Sequence, residues 1–410
     1  MNLAQCMDCR GSSVAAAGRS IIERFNACAP GERFDVLLDT LAPGLRVWLL
    51  EAGIRHAIES RVDGLCMTIR RAAVPAQGSI PGVHHVVSDG DSIWTCERDA
   101  RAARIDASSG VVVACNAVAL KASHLALGRG ARRLFIADSA ADQMIALRAS
   151  DLAVEARWAA PGGPQLAVAA EEGIVAVTGP ASSTLTIARP QGADYVVQTI
   201  TVGACPHDPL LSNDQRHVFV PCAGDGSVVK VRLSDGAIEG RCVAGDGPSH
   251  LAAHPDGRRI FSANSWDGTL SCLSVDGELL GRTPSGGWAH AIDITPDGRH
   301  VYVANFLDDT IAVFDAASLE RLALLPCDAY PHGLDIAPDG RTVVVAGYGG
   351  DSVRLFDAAT LQELTRVVVG VGASHTAFAG GAAFVGCSVD NHVTKLDCTT
   401  HQVMAKTSLH

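Results

Sequence analysis

HAIDITPDGRHVYVANFLDDTIAVFDAASLERLALLP, residues 290–326, divides into four short apolar runs separated by turn-forming residues. The first run ends at Pro296-Asp297-Gly298; VYVAN (301–305), TIAVFD (310–315) and ERLALLP (320–326) follow. Runs of this length, rich in Val, Ile and Phe and bounded by Pro, Asp, Asn and Gly, read as β-strands. The same pattern recurs, with starts near His84, His124, Gln165, His207, His250, His290, His332 and His375, at intervals of 40 to 43 residues. A four-stranded unit of about 40 residues cannot bury both its faces alone, and radial stacking of such units gives a β-propeller. Eight starts predict eight blades over residues 83–410; the first three units are more degenerate, which leaves seven as the alternative count.

The segments VYVAN, TVVVAGY (342–348), SVRLFDAATLQ (352–362) and TIAVFDAASLE (310–320) resemble the YVTN family of propeller repeats. That resemblance implies the fold and leaves the function to the site, since propellers host enzymes, cofactor carriers and scaffolds alike.

Residues 1–72 read differently. Ser12 to Cys28 has helical periodicity, Arg33 to Asp39 is a strand, Leu45 to Ala52 a second helix, and His56–Arg61 with Leu65–Arg71 a hairpin turned at Asp63-Gly64. The predicted order is β-α-β-α-β-β, a small α/β domain. With Met7-Asp8-Cys9-Arg10-Gly11, Pro30-Gly31-Glu32 and DGLCMTIRR (63–71), it resembles the TusA-like sulfur-carrier family. That family carries its sulfur on a Cys-Pro three residues after Arg-Gly, where this chain has Val14-Ala15. The thiol candidates are instead Cys6 and Cys9, a C-x-x-C spacing able to hold a soft metal or to form a reversible disulfide, or merely structural. Residues 73–82, with Pro75, Gly78 and Pro81, read as a short linker.

The composition is 48% hydrophobic and 19% charged, with a formal net charge of −11. An acidic chain repels nucleic acid and anionic membrane surfaces, so neither is an expected partner. No apolar run approaches the roughly 18 residues of a membrane span, and the start MNLAQCMDCRGSS has no basic or apolar leader segment. Thirteen scattered cysteines suit free thiols in a reducing cytoplasm, the expected location.

Seven of the eight repeat starts carry histidine: His84 or His85, then His124, His207, His250, His290, His332 and His375; Gln165 breaks the series. First strands line a propeller's channel, so these imidazoles are expected to converge on the axis. The short turn of the first unit favours His84 over His85. One reading is a repeat-encoded residue that caps the loop entering each strand. The other is a metal centre, because imidazoles crowded on one axis depress one another's pKa values unless a cation joins them. Imidazole donors suit copper, zinc, iron or nickel and disfavour magnesium and calcium. The placement is similar to that of the multicopper propellers nitrous oxide reductase and thiocyanate dehydrogenase, which implies copper, with iron or zinc as substitutes. Eight blades also resemble the propellers that seat haem d1, which implies a d1-type haem with an axial histidine.

Cys96, Cys222 and Cys387 fall at the ends of second strands and Cys205 lies two residues before His207; they are soft-ligand candidates or core packing. Asp256-Gly257, Asp297-Gly298 and Asp339-Gly340 are hairpin turns, and no phosphate loop, nucleophile elbow or H-E-x-x-H helix occurs. The expectation is a transition-metal propeller whose chemistry, if catalytic, is that of a metal-dependent oxidoreductase. Its expected partners are a small sulfur compound or a sulfur-carrier or redox protein, and a non-catalytic interaction scaffold is the remaining alternative.

Overall fold

In a computed structural model, the described residues are 6–10, 20, 21, 24, 33–38, 56–61, 64–70 and 83–409 apart from 98–100, 129–131, 193 and 329. For residues 6, 33, 34, 56–61, 64–70 and 84 the description extends to the backbone alone. The chain divides into two compact units, Met1–Gly78 and Ser79–His410.

In the first unit Cys6–Asp8 pairs parallel with Arg33–Leu38, which pairs antiparallel with Gly64–Arg70, itself paired with His56–Arg61. Ser20, Ile21 and Arg24 are helical, with Ile21 buried, on the first predicted helix; the second, 45–52, lies outside the described residues, as does Val14.

The second unit is mainly β, an eight-bladed propeller. Each blade is a four-stranded antiparallel meander of consecutive strands: Val83–Ala117, Ala122–Ala159, Ala167–Thr201, Leu210–Val243, Pro248–Pro284, Ala289–Pro326, Pro331–Val368 and Ala373–Ser408, written below as blades 1 to 8. The count of seven is thereby set aside.

Burial follows position in the blade. The second and third strands of blade 6, His300–Asn305 and Thr310–Asp315, are buried on both faces against neighbouring blades, whereas the outermost, Arg321–Pro326, alternates exposed and half-buried residues. The Asp-rich turns cap these strands. Asp297 accepts the Arg299 N–H at 3.0 Å and Asp315 accepts the Ser318 N–H at 2.8 Å, so these carboxylates are turn acceptors.

The ring closes without an exchanged strand. Blade 8 packs on blade 1 through a core of Val83, Val86, Ile93, Phe384 and Val393, with Asn391 donating to Glu97 at 2.9 Å and Lys395 to the Ser108 carbonyl at 2.8 Å.

Candidate metal centre

Each histidine-bearing inner strand is irregular at the histidine. The ladder slips by one residue between Val83 and His85, Pro248 and His250, Ala289 and Ile292, Pro331 and Gly333, and Ala373 and Thr376. Blade 2 slips opposite Ile136 to Asp138, and in blade 4 the bridge Pro206–Cys222 gives way to Leu210–Phe219 one residue out of step. A bulge leaves an unpaired residue and re-aims side chains, and here it does so at one level of seven blades.

The loops leading into these strands share a second feature. The residue before the first paired position is left-handed in blades 4 to 8: Cys205, Gly247, Trp288, Tyr330 and Gly372, with φ from 49° to 75°. In the three non-glycine cases this costs on the order of 1 kcal/mol each, so the mouth is held in a form that local preference disfavours.

The imidazoles form an unbroken run. Ring centroids are separated by 5.0 Å for His207–His250, 4.3 Å for His250–His290, 4.9 Å for His290–His332 and 5.0 Å for His332–His375. The run continues across the closing seam with His375–His85 and His85–His124, both 4.8 Å. Gln165 lies just before the first strand of blade 3, the blade between the two ends of the run. His85, His124 and His375 each offer a ligand atom, all within 4.8 Å of one another, close enough to converge on one ion with small ring movements.

Of the two blade 1 candidates, His84 and His85, it is His85 that the described side chains place in the ring. His85 meets both His124 and His375 ring to ring at 4.8 Å. His84 is the bulged residue, and its side chain lies outside the described residues, as does that of Cys6. Cys9 is buried.

His290 is buried, while the other ring histidines are half-buried and enclosed by the channel wall. Burial pushes His85 and His207 down to about 4 and His250 and His290 well below the ordinary histidine value; for His85, His250 and His290 neighbouring imidazoles add to it. These four rings are therefore neutral near pH 7, the protonation state a metal requires of histidine. His207 Nδ1 lies 3.0 Å from the Ser249 carbonyl, to which it donates, leaving Nε2 with its lone pair. His85 Nδ1 accepts the Leu125 N–H at a long 3.3 Å, which leaves the proton of the neutral ring on Nε2, so ligation through either nitrogen displaces that contact.

The cysteines pack. Cys96, Cys222 and Cys387 are fully buried within the cores between blades. Burial pushes the Cys387 thiol up to about 12 and raises Cys222 further, so both stay protonated and are poor metal ligands.

Two further groups escaped sequence reasoning. Phe306 stacks on the exposed Tyr330 at 5.1 Å and meets His290 and His332 edge-on at 5.8 and 6.2 Å, while Tyr348 lies 5.5 Å from His332. The ring is thus lined on its blade 6–7 side by aromatic residues. The other group is carboxylic: Asp208, Asp293 and Asp335 are half-buried, Asp208 with 38% of its side chain exposed, and the surrounding protein raises Asp293 to about 7, Asp335 to about 6 and Asp208 in the same direction. Their signal was in the sequence as Asp208 directly after His207 and as H-x-x-D in HAID (290–293) and HGLD (332–335).

With this geometry in hand, likenesses to known proteins can be placed. The family described as "Lactonase, 7-bladed beta-propeller" matches residues 198–326, from the last strand of blade 3 to the end of blade 6. No curated protein matches the sequence significantly. Among solved structures, hydrazine synthase of Kuenenia stuttgartiensis is similar with a TM-score of 0.57 at 16% identity, over 68% of this chain and 96% of that one. The structure of dihydro-heme d1 dehydrogenase NirN in complex with DHE is similar with a TM-score of 0.60 at 18% identity, over 75% of this chain and 69% of that one. Both likenesses are of fold. Among the described residues no helix is long and apolar enough to cross a membrane.

Proposed function

We propose that the propeller is a redox metalloprotein whose channel histidines carry a transition metal. The observation that carries this reading is the unbroken run of seven imidazoles, four of them held neutral by burial. His85, His124 and His375 would hold one ion, and His207, His250, His290 and His332 would line its surroundings or hold a second. Copper and iron both suit an imidazole-only donor set, and either would supply one-electron chemistry. The protein's part is to present the lone pairs, to orient His207 through Ser249, and to enclose the site within the channel wall. A sulfur compound as substrate, delivered in the cytoplasm by the N-terminal unit, rests on the resemblance of residues 1–72 to sulfur carriers.

A second reading, a d1-type haem over the channel mouth with one ring histidine as axial ligand, is favoured by the fold likeness to NirN, whose structure is described as a complex with DHE. The aromatic side chains Phe306, Tyr330 and Tyr348 beside His332 suit a planar ligand.

Elemental analysis and an absorption spectrum of protein purified without a histidine tag, beside a His124→Ala/His375→Ala variant of matching circular dichroism, test both readings. Stoichiometric copper or iron that falls in the variant supports the first. An extractable tetrapyrrole with intense visible bands selects the second. Metal-free, colourless protein after metal- and haem-replete expression removes both and leaves an interaction scaffold whose ring was copied with the repeat.

A further inference from the structure

Ser249, buried beside the ring, anchors three residues able to chelate. Its carbonyl accepts the His207 Nδ1–H at 3.0 Å and the Asp208 backbone N–H at 3.1 Å. Its hydroxyl lies 3.3 Å from His250 Nδ1 and 2.6 Å from the Ser265 hydroxyl. Ser265 gives its single proton to the Ala289 carbonyl at 2.7 Å, so between the two hydroxyls Ser249 donates and Ser265 accepts. The Ser249 oxygen then has only acceptor capacity left for His250. His250 therefore carries its proton on Nδ1, and both His207 and His250 present an Nε2 lone pair. An imidazole whose far nitrogen donates to a protein oxygen is the usual form of a histidine metal ligand.

The third donor is Asp208. Among the described residues no hydrogen bond holds its carboxyl, one oxygen of which stands 4.0 Å from His250 Nε2. At that distance neither atom hydrogen-bonds the other, and two electron pairs face each other. A cation with bonds of about 2.1 Å reaches both. The two rings fit the same ion: bonds of that length, at angles from about 90° to about 110°, set imidazole centroids roughly 4.5–5.2 Å apart. Those of His207 and His250 are 5.0 Å apart. The trio is looser than His85, His124 and His375, and a turn of the unheld Asp208 carboxyl closes it.

We infer that His207, His250 and Asp208 form a second metal site, at the other end of the imidazole run from the triad, with His290 and His332 between. Two imidazoles and one carboxylate are the donor set of mononuclear iron(II) centres that keep open positions, whereas the imidazole-only triad suits copper as well. The site would take iron(II), with zinc or cobalt(II) as mimics, and leave positions for a small ligand arriving on the exposed side of Asp208. This inference deepens the metal-carrier reading above and rests on it, while using different side chains. The competing account is a solvated carboxylate beside a neutral histidine.

Titration of the metal-free full chain with cobalt(II), followed by visible absorption and elemental analysis, separates these accounts. The proteins compared are wild type, Asp208→Ala, His250→Ala, His124→Ala/His375→Ala, and the last with Asp208→Ala added, each checked by circular dichroism. Two cobalt ions per chain are expected in wild type, one in the triad variant and none held tightly in the combined variant. Asp208→Ala and His250→Ala should each weaken one ion at least about tenfold and leave the other. Should one of these two fail to fold, the other decides. Unchanged affinity for both ions in either folded variant overturns the inference. A single ion that is lost in the triad variant and indifferent to Asp208→Ala overturns this site and leaves the redox triad standing. A single ion lost with Asp208→Ala and kept in the triad variant does the reverse, and a chain that binds no cobalt overturns both.

Discussion

His85 and His375 meet edge to face at 4.8 Å across the seam where the last blade closes on the first. Nearly three hundred residues separate them in sequence, so this contact exists only in a closed ring. Because no strand is exchanged between blades 8 and 1, closure rests largely on side-chain packing, with fully buried Phe384 at its centre. Phe384→Ala should therefore cost about 3–5 kcal/mol of unfolding free energy, the usual range for a buried aromatic. Denaturant titration measures it, and a loss under about 1 kcal/mol would show that the seam does not depend on this core.

The triad geometry ranks the histidines. His124→Ala and His375→Ala should each weaken binding of copper or iron at least about tenfold, and His85→Ala likewise, because each removes one of three converging donors. His84→Ala should change it less than His85→Ala, since the converging triad is made by His85 with His124 and His375. Metal competition with a chromophoric chelator reads these affinities. Equal losses from His84→Ala and His85→Ala would mean that the metal sits elsewhere.

The architecture was legible because a propeller repeats: one clear unit, residues 290–326, supplies the template, and the histidine starts supply the phase. The site was legible to the level of the ring but not to the atom. Val83-His84-His85 could not be phased from the local sequence, because the place of His85 beside His124 and His375 is a property of the closed ring. Asp293 and Asp335 were missed because strict alternation puts position three on the wrong face, and only the inserted residue at His290 and His332 restores it. Phe306, Tyr330 and Tyr348 come from loops whose approach to the ring depends on the left-handed turn at Tyr330 and the neighbouring blade, neither marked by composition.

Gly333 follows His332 directly, and a Cβ built on it would stand 2.0 Å from the Ser374 carbonyl oxygen of the next blade. The obstacle is backbone, which cannot rotate aside, so Gly333→Ala must push the Ser374–His375 segment outward. The expected result is a folded but destabilised protein, with a lower melting temperature, in which metal affinity falls although no ligand is changed. Retention of full affinity would show that His375 is not held in place by this close approach.

The metal-free protein should be acid-sensitive before its surface carboxylates titrate. His85 and His207 lie at about 4 in the folded chain, and His250 and His290 lie lower, against an unfolded value of about 6.5. Between those values the unfolded chain binds more protons, so stability rises with pH across that window and is fully present above about 6.5. Asp208, Asp293 and Asp335 act in the opposite sense: raised folded values, about 7 for Asp293 and about 6 for Asp335 against 3.8, mean that stability falls as pH rises from about 4 to about 7. The two groups partly cancel in wild type. Asp293→Asn should therefore steepen the rise in melting temperature from about pH 4 to about pH 6.5, by removing one opposing contribution. Thermal denaturation across that range measures the slope, and an unchanged slope in the variant would place the Asp293 titration outside the window.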